Sequence, residues 1–367
     1  VAMDFNKIDD YPLWDKSVPF PQLYELKDPK GLEKIMVQDG RIDEIAFLHD
    51  SSLIKAGNRL IVGWYNSTVA EIVGESMIRG RVSYDDGNTW SDPVLIIYDE
   101  KKELHCVPVD FFEKDGKIYA FVSKMTSHDR PVSYDLYQLD ENCSGIFIHS
   151  FPYAFIPNAA PLCMDNGNYL IPGRAADTLG GHPEVPAVLI SNGDDILNWR
   201  LVTFYDIHNP KLFGLSCPET TVWIDKNIIT AFVRSDEKSC PHLVFTSLDY
   251  GETWETPKRN PLDIAVSKIT AGTISDGRKY LVYNYCLPGV SDRDRNLLLL
   301  ALDAGKTGML SKVYRLLSGY EPDFKRGGGW SYPCVIENSG ALYISVTSQD
   351  GNGPRSCVLL KIPVSLL

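Results

Sequence analysis

The 367-residue sequence predicts an all-β fold, a six-bladed β-propeller of four-stranded antiparallel blades, with residues 1–367 forming one domain. Three observations predict it: a turn phrase that returns, an apolar–turn–apolar phrase that recurs six times, and the lack of sustained helical periodicity. The turn phrase is Ser83-Tyr84-Asp85-Asp86-Gly87-Asn88-Thr89-Trp90, repeated as Ser247-Leu248-Asp249-Tyr250-Gly251-Glu252-Thr253-Trp254. Both read S-x-D-x-G-x-T-W and both lead to a proline, Pro93 and Pro257. A degraded third copy is expected at 191–199. The physics is that of a hairpin turn. The Ser or Asp side chain accepts bonds from the turn's own amides, Gly supplies a positive φ, and Trp returns to pack between units.

The recurring phrases occupy 46–49 with 58–65, 106–109 with 116–122, 159–163 with 167–172, 218–222 with 227–233, 269–271 with 278–283, and 332–336 with 340–346. Each pairs two runs rich in β-branched and aromatic residues across a turn of Asp, Asn or Gly, and so predicts an inner β-hairpin. Their spacing of roughly 50–60 residues is that of one four-stranded blade. The two turn phrases fall after the inner hairpins, where outer strands should turn. Segment 30–35 is expected to form at most a short helical turn. Residues 22–26, within an N-terminal stretch of about 40, are expected to complete the last blade and remove a free edge.

A formal net charge of −12 argues against nucleic acid and anionic membrane surfaces as partners. It leaves an acidic small substrate open, because a local arginine cluster can dominate one cleft. No run of about 18 apolar residues exists, so no transmembrane helix is expected. The start Val1-Ala2-Met3 reads as processed; with a leader removed, the expected setting is secreted or periplasmic. The eight cysteines, at 106, 143, 163, 217, 240, 286, 334 and 357, show no CxxC spacing. They are expected to pack mainly as small hydrophobes, and no metal or organic cofactor is implied.

Further phrases carry a resemblance. Gly63-Trp64-Tyr65 with Arg79-Gly80-Arg81-Val82-Ser83 opens it, followed by Cys217-Pro218-Glu219-Thr220-Thr221-Val222 and Ala231-Phe232-Val233-Arg234-Ser235. Leu281-Val282-Tyr283-Asn284, Arg293-Asp294-Arg295-Asn296-Leu297 and Trp330-Ser331-Tyr332-Pro333 complete it. With the two turn phrases, these resemble the sialidase-like BNR (Asp-box) propellers. The resemblance implies Asp-boxes on outer hairpins away from the active site, and an exo-acting glycoside hydrolase that cleaves a terminal acidic sugar from a glycan. It also implies three arginines on the substrate carboxylate, a Tyr nucleophile with a Glu beside it, and an Asp on a loop as acid/base. The chemistry is coherent. A phenol with a pKa near 10 is a poor nucleophile unless a carboxylate takes its proton. The neutral pair also avoids setting a bare carboxylate against an anionic sugar. Arginine forks bind a carboxylate through two parallel bonds.

Carried over by position, Tyr332 matches the nucleophile, Glu219 its activating glutamate, Arg234 the second arginine, and Arg295, or else Arg293, the third. The plainer alternatives are that Tyr332 fills core between blades, Glu219 satisfies a turn, and the Arg293–Arg295 run is a solvated loop. The sequence departs from the family at the first arginine. Where an R-I-P phrase is expected, the chain has Arg41-Ile42-Asp43, with His49 near the cleft instead. A uronic acid or a rhamnose-containing glycan suits a two-arginine site. For the acid/base, the loop between Trp64 and Arg79 offers Glu71 and Glu75, and Asp50 follows His49. Glu75 is the choice, on a loop that should overhang the cleft. His49, His105 and His182 are further candidates for proton transfer or sugar binding. Arg174, before the loop of His182, is a replacement cation for substrate. Three alternatives remain beside the acidic-sugar hydrolase: a rhamnosidase-like hydrolase, a polysaccharide lyase using His and Tyr, and a non-catalytic glycan-binding propeller. The sequence carries no sign of oligomeric state.

Overall fold

The computed structural model describes residues 8–45, 47–236, 242–319, 329–351 and 353–367. Ala46 of the first phrase, Cys240 and the start Val1-Ala2-Met3 lie outside them. Six small antiparallel sheets stand in a ring, a six-bladed propeller. Blade 1 runs outward from the axis as Phe47–Ala56, Arg59–Ser67, Ser76–Ser83 and Val94–Ile97. Blade 2 is His105–Lys114, Lys117–Met125, Pro131–Leu139 and Gly145–Phe151. In blade 3 the inner strand is split into Phe155–Pro157 and Leu162–Cys163, followed by Tyr169–Ala175, Val185–Asn192 and Asp195–Thr203. Blade 4 is Thr220–Asp225, Ile228–Val233, Leu243–Ser247 and Lys258–Arg259; blade 5 is Thr270–Thr273, Lys279–Asn284, Leu297–Leu302 and Lys312–Ser318. Blade 6 is Gly329–Asn338, Ala341–Gln349 and Arg355–Pro363, and its fourth strand is Glu33–Gln38 from the N-terminal region. Each of the six recurring phrases lies on one inner hairpin.

The strands read as continuous apolar runs because both faces of each blade are buried. Along Leu297–Leu302, residues Leu297, Leu299 and Ala301 pack against blade 4, while Leu298, Leu300 and Leu302 pack against blade 6. Six apolar clusters result, one between each pair of neighbouring blades.

The closing strand is not the expected one. Leu23–Glu25 forms a single 3-10 turn, with Tyr24 exposed, and pairs with no sheet. Closure is made instead by Glu33–Gln38 against Arg355–Pro363, so segment 30–35 leads into a strand rather than a helical turn. The stretch before it runs along the rims of blades 4 and 5, through the bridges Asp10–Arg259 and Trp14–Leu310, and buries Leu13 and Leu26 between those blades.

Both full Asp-boxes turn from the third strand to the fourth, with the same bonds. In the first, Ser83 Oγ accepts from Gly87 N at 2.8 Å and Asp85 Oδ1 accepts from Thr89 N at 2.8 Å. In the second, Ser247 and Asp249 accept from Gly251 and Thr253 at 2.8 and 2.9 Å. The expected third copy is a tighter feature. Asn192 pairs with Asp195, leaving Gly193-Asp194 as a two-residue hairpin. At the same corner of blades 2 and 5, Asp140 accepts from Ser144 N at 2.8 Å and Asp303 from Thr307 N at 2.9 Å. These preserve the aspartate bond without the rest of the phrase. Of the described cysteines, Cys106, Cys143 and Cys357 are buried, Cys163 is exposed, and Cys217, Cys286 and Cys334 are half-buried. Among the described residues, no helix is long and apolar enough to cross a membrane.

Candidate active site

Three inner strands carry the same irregularity at the same depth. The register breaks between His49 and Ser52 in blade 1, between Cys106 and Val109 in blade 2, and between Ser331 and Cys334 in blade 6. Each break sets two residues opposite one, a β-bulge, the device that re-aims side chains beside binding sites. The bulges bring Asp50, Pro108 and Tyr332 to the wall of one axial cavity of about 450 Å³. Asp50 and Tyr332 hold φ at 48° and 57°, a backbone strain that only a well-determined surrounding maintains.

On one wall a phenol, a carboxylate and a guanidinium meet. Tyr332 Oη donates to Glu219 Oε1 at 2.7 Å. Arg234 Nη1 donates to Tyr332 Oη at 2.9 Å and to Glu219 Oε2. Glu219 stands just before the blade 4 inner strand and Arg234 just after its second strand, joined by Arg234 N to Glu219 O at 2.9 Å. Burial pushes the Glu219 carboxyl up, but the charges of Arg234 and Arg174 and the bonds from Tyr332 and Arg234 outweigh it, leaving it below the usual glutamate value. Burial first, then the Glu219 charge, hold the Tyr332 phenol well above its ordinary range. The resting pair is therefore a phenol and a carboxylate.

The other arginines differ in their partners. Asp236 accepts a fork from Arg234, with Nε to Oδ1 at 2.6 Å and Nη2 to Oδ2 at 3.0 Å. Arg293, mostly exposed, reaches the same Asp236 at 3.4 Å. Arg295 lies with its guanidinium 5.4 Å from the centre of the Tyr332 ring and donates to Val266 O at 3.1 Å. Arg355, at the start of the third strand of blade 6, also lines the cavity. Below them, Lys268 pairs with Asp50 and sits 5.2 Å from the Tyr332 ring centre.

His49 packs on Tyr332 with ring centroids 4.2 Å apart, and its Nδ1 is 3.1 Å from Thr347 Oγ1. Burial, then the charges of Arg355, Arg295, Lys268 and Arg234, hold it well below its usual value, so the ring is neutral. Across the cavity, Arg174 is buried and donates to Asp129 Oδ1 at 2.7 Å; His128 and His182 each come within 3.5 Å of the same Asp129. Arg174 is thus neutralised within the protein. Glu71 lines the cavity and accepts from Tyr65 Oη at 3.3 Å.

Glu75, expected to overhang the cleft, does not reach it. It pairs with Lys102 at 2.9 Å in a separate surface pocket, which His105 also lines. The bond from Thr68 N to Glu75 O at 3.0 Å continues the strand pairing and the loop turns between Ala70 and Val73, with Glu71 on the cavity and Glu75 outside it. His105 bonds Ser76 Oγ at 2.9 Å. Arg41 is exposed and paired with Asp39 at 2.6 Å. Sequence reasoning missed Asp236, Asp129, His128, Lys268 and Arg355. Asp129 and Lys268 pair with Arg174 and Asp50 of other blades, while Asp236 and His128 bond residues one or two positions away, Arg234 and Asp129; no local phrase marks any of the five. Among the described residues, no three His, Cys, Asp or Glu side chains are placed to hold a metal ion.

The family model for the BNR repeat-like domain matches residues 58–344. The chain belongs to this family. No curated protein sequence matches it. Among solved structures, this BNR repeat-like chain is similar to a protein of unknown function from Dyadobacter fermentans DSM 18053, at 15% identity and TM-score 0.67 over 90% of this chain and 99% of that one. It is similar to Trypanosoma rangeli sialidase at 16% identity and TM-score 0.66, covering 93% of this chain and 59% of the sialidase. It is also similar to the Hadza microbial sialidase Hz136 at 14% identity and TM-score 0.66, over 91% and 69%. At these identities the likeness is one of fold.

Proposed function

We propose that this BNR repeat-like propeller is a glycan-active enzyme, an exo-acting glycoside hydrolase that takes the terminal acidic sugar of a glycan into its axial cavity. The observation that carries the reading is the 2.7 Å bond from Tyr332 Oη to Glu219, braced by Arg234 at the wall of that cavity. Tyr332 Oη attacks the anomeric carbon as the glycosidic bond breaks, and its proton passes to Glu219. The phenol becomes acidic enough for this only as Oη bonds to carbon, so the depressed carboxylate is a competent acceptor within the concerted step. The leaving oxygen takes a proton from Glu71, which faces the cavity where Glu75 does not. In the second step Glu71 takes a proton from water, the hydroxide oxygen bonds to the anomeric carbon, and Tyr332 departs, recovering its proton from Glu219. Arg234 Nη1 stabilises the departing phenolate oxygen. A fold shared with Trypanosoma rangeli sialidase, a structure of which holds sialic acid, supports a sugar ligand. Fold alone does not carry the chemistry.

Release of fluorophore from a 4-methylumbelliferyl sialoside or uronide tests it. Turnover is expected, and Tyr332→Phe should lower kcat by at least about 10³-fold with the fold intact. Full activity in that variant overturns the reading. The neutral His49 ring stacked on Tyr332 favours a second reading, a lyase with His49 as base. A product absorbing in the ultraviolet as an unsaturated uronide identifies that chemistry.

A further inference from the structure

The axis of the ring holds a second cavity behind the first. The Lys268–Asp50 pair stands between them: Asp50 lines the Tyr332 side, Lys268 lines a space of about 430 Å³ on the other, and Asn158 lines both. Residues of blades 1, 2, 3, 5 and 6 enclose this second space, with Leu53, Phe111, Pro161, Ala271 and Ile336 among its walls. Its size is that of a small-molecule site, where apolar walls surround a few polar groups. The charges inside do not balance. Its lining carries Asp110, Glu113 and Glu337 against one cation, Lys268, which Asp50 already engages. Glu113 is exposed and accepts from Gly116 N at 2.8 Å; Glu337 accepts from Ser275 N and Oγ, each at 2.6 Å. Asp110 has neither solvent nor such a donor. It is 6% exposed, and among the described residues its Oδ2 has no hydrogen-bond partner. A buried, unpaired carboxylate is costly and is normally retained only where something completes it.

We infer that this second cavity binds a small organic cation, an ammonium group on an apolar body, with Asp110 as its counter-ion. The inference stands apart from the glycan-active reading, since Tyr332, Glu219 and Arg234 line the other cavity and not this one. The ligand class follows from the lining. Three carboxylates turn an anion away, and a neutral apolar molecule leaves Asp110 uncompleted. A hard metal ion needs a shell of oxygens, and among the described residues no three His, Cys, Asp or Glu are placed to hold one. An ammonium brings its own donors to the carboxylate, while its apolar body covers the walls.

Calorimetric titration of the full chain with benzylamine and with benzyl alcohol tests it, the two probes sharing a ring and differing in charge. The titration is made at pH 8, where benzylamine is cationic and the Asp110 carboxyl, raised to about 7 by burial against the pull of Lys268 and with the help of Asp50, is ionised. Wild-type protein should bind benzylamine with roughly millimolar affinity or better, and at least about 10-fold more tightly than benzyl alcohol. Asp110→Asn keeps the shape of the side chain and should remove that preference, leaving benzyl alcohol unchanged. Ala160→Trp, which fills the cavity from the blade 3 wall, should abolish benzylamine binding by a different route, so the result does not hang on one variant. No binding of benzylamine, equal affinity for the two probes in the wild type, or undiminished benzylamine binding in either variant overturns the inference. Hydrolysis of a glycoside, present or absent, bears only on the Tyr332 cavity.

Discussion

Tyr332, Glu219 and Arg234 are separated by up to 113 positions in sequence and meet within hydrogen-bonding distance. Each was legible because it sits in a short phrase tied to a strand end. Arg355 and Asp236 were not: Asp236 lies just past the Arg234 phrase with nothing local to mark it as that arginine's partner, and Arg355 takes its surroundings from blades 6 and 1. Asp110 is a further residue only the structure exposes. It is buried in the inner strand of blade 2 with Oδ2 unpaired. Burial, helped by Asp50 and opposed by Lys268, pushes its carboxyl up to about 7 from 3.8. A raised carboxyl stabilises the fold fully below the unfolded value and loses that contribution as pH rises through the folded one. Wild-type stability should therefore fall between about pH 4 and pH 8, by on the order of 4 kcal/mol. Asp110→Asn should remove the slope and melt higher than wild type at pH 8 but not at pH 5. Identical pH profiles for the two proteins, followed by thermal melting, would refute the assignment.

At the scale of elements, the residue pattern of the Asp-box is enough to read it as a turn, whereas its packing depends on blades distant in sequence. Gly251 holds φ at +86°, and a Cβ there would meet Leu170 and Ile190 of blade 3 at 3.3 and 3.4 Å and Ile229 of blade 4 at 3.4 Å. The box therefore presses on the preceding blade, where Trp254 also stacks on Phe204 with centroids 3.7 Å apart. Gly193, in the two-residue hairpin that stands where a third box was expected, has φ +63° and open space around it. Gly251→Ala should cost about 1–2 kcal/mol from the backbone alone, plus a packing penalty, and so exceed Gly193→Ala in chemical denaturation. Equal losses would mean the box glycine serves the turn only. The copies in blades 2 and 5 escaped sequence reading because Asp140 and Asp303 keep the one bond that shapes the turn and drop the Ser and Trp.

For the whole molecule, six blades could be counted from six hairpin phrases, since a doubly buried hairpin needs an apolar run on both sides of a polar turn. The closing segment was misplaced because an edge strand is short and half exposed: Ile35, Met36 and Val37 of 33–38 give no stronger apolar signal than Leu23, Tyr24 and Leu26 of 22–26. Glu33–Gln38 nevertheless completes the ring. Val37, 2% exposed, packs with Leu48, Leu60 and Trp64 of blade 1 and Leu359 of blade 6. Val37→Asp should bury an unpaired charge at that seam and cost several kcal/mol, with a lower melting temperature and an aggregation-prone free edge. A near-native melting temperature would show that the ring does not depend on this closure.

The ring matters for function because it delivers a phenol from blade 6 to a carboxylate from blade 4. Incubation with 2,3-difluorosialic acid, followed by intact mass and peptide mapping, reads that directly. One sugar equivalent should appear on the peptide carrying Tyr332, and Tyr332→Phe should abolish it. An adduct mapped to another residue, or bound inhibitor with no adduct while the matching sialoside is turned over, would contradict a nucleophilic Tyr332.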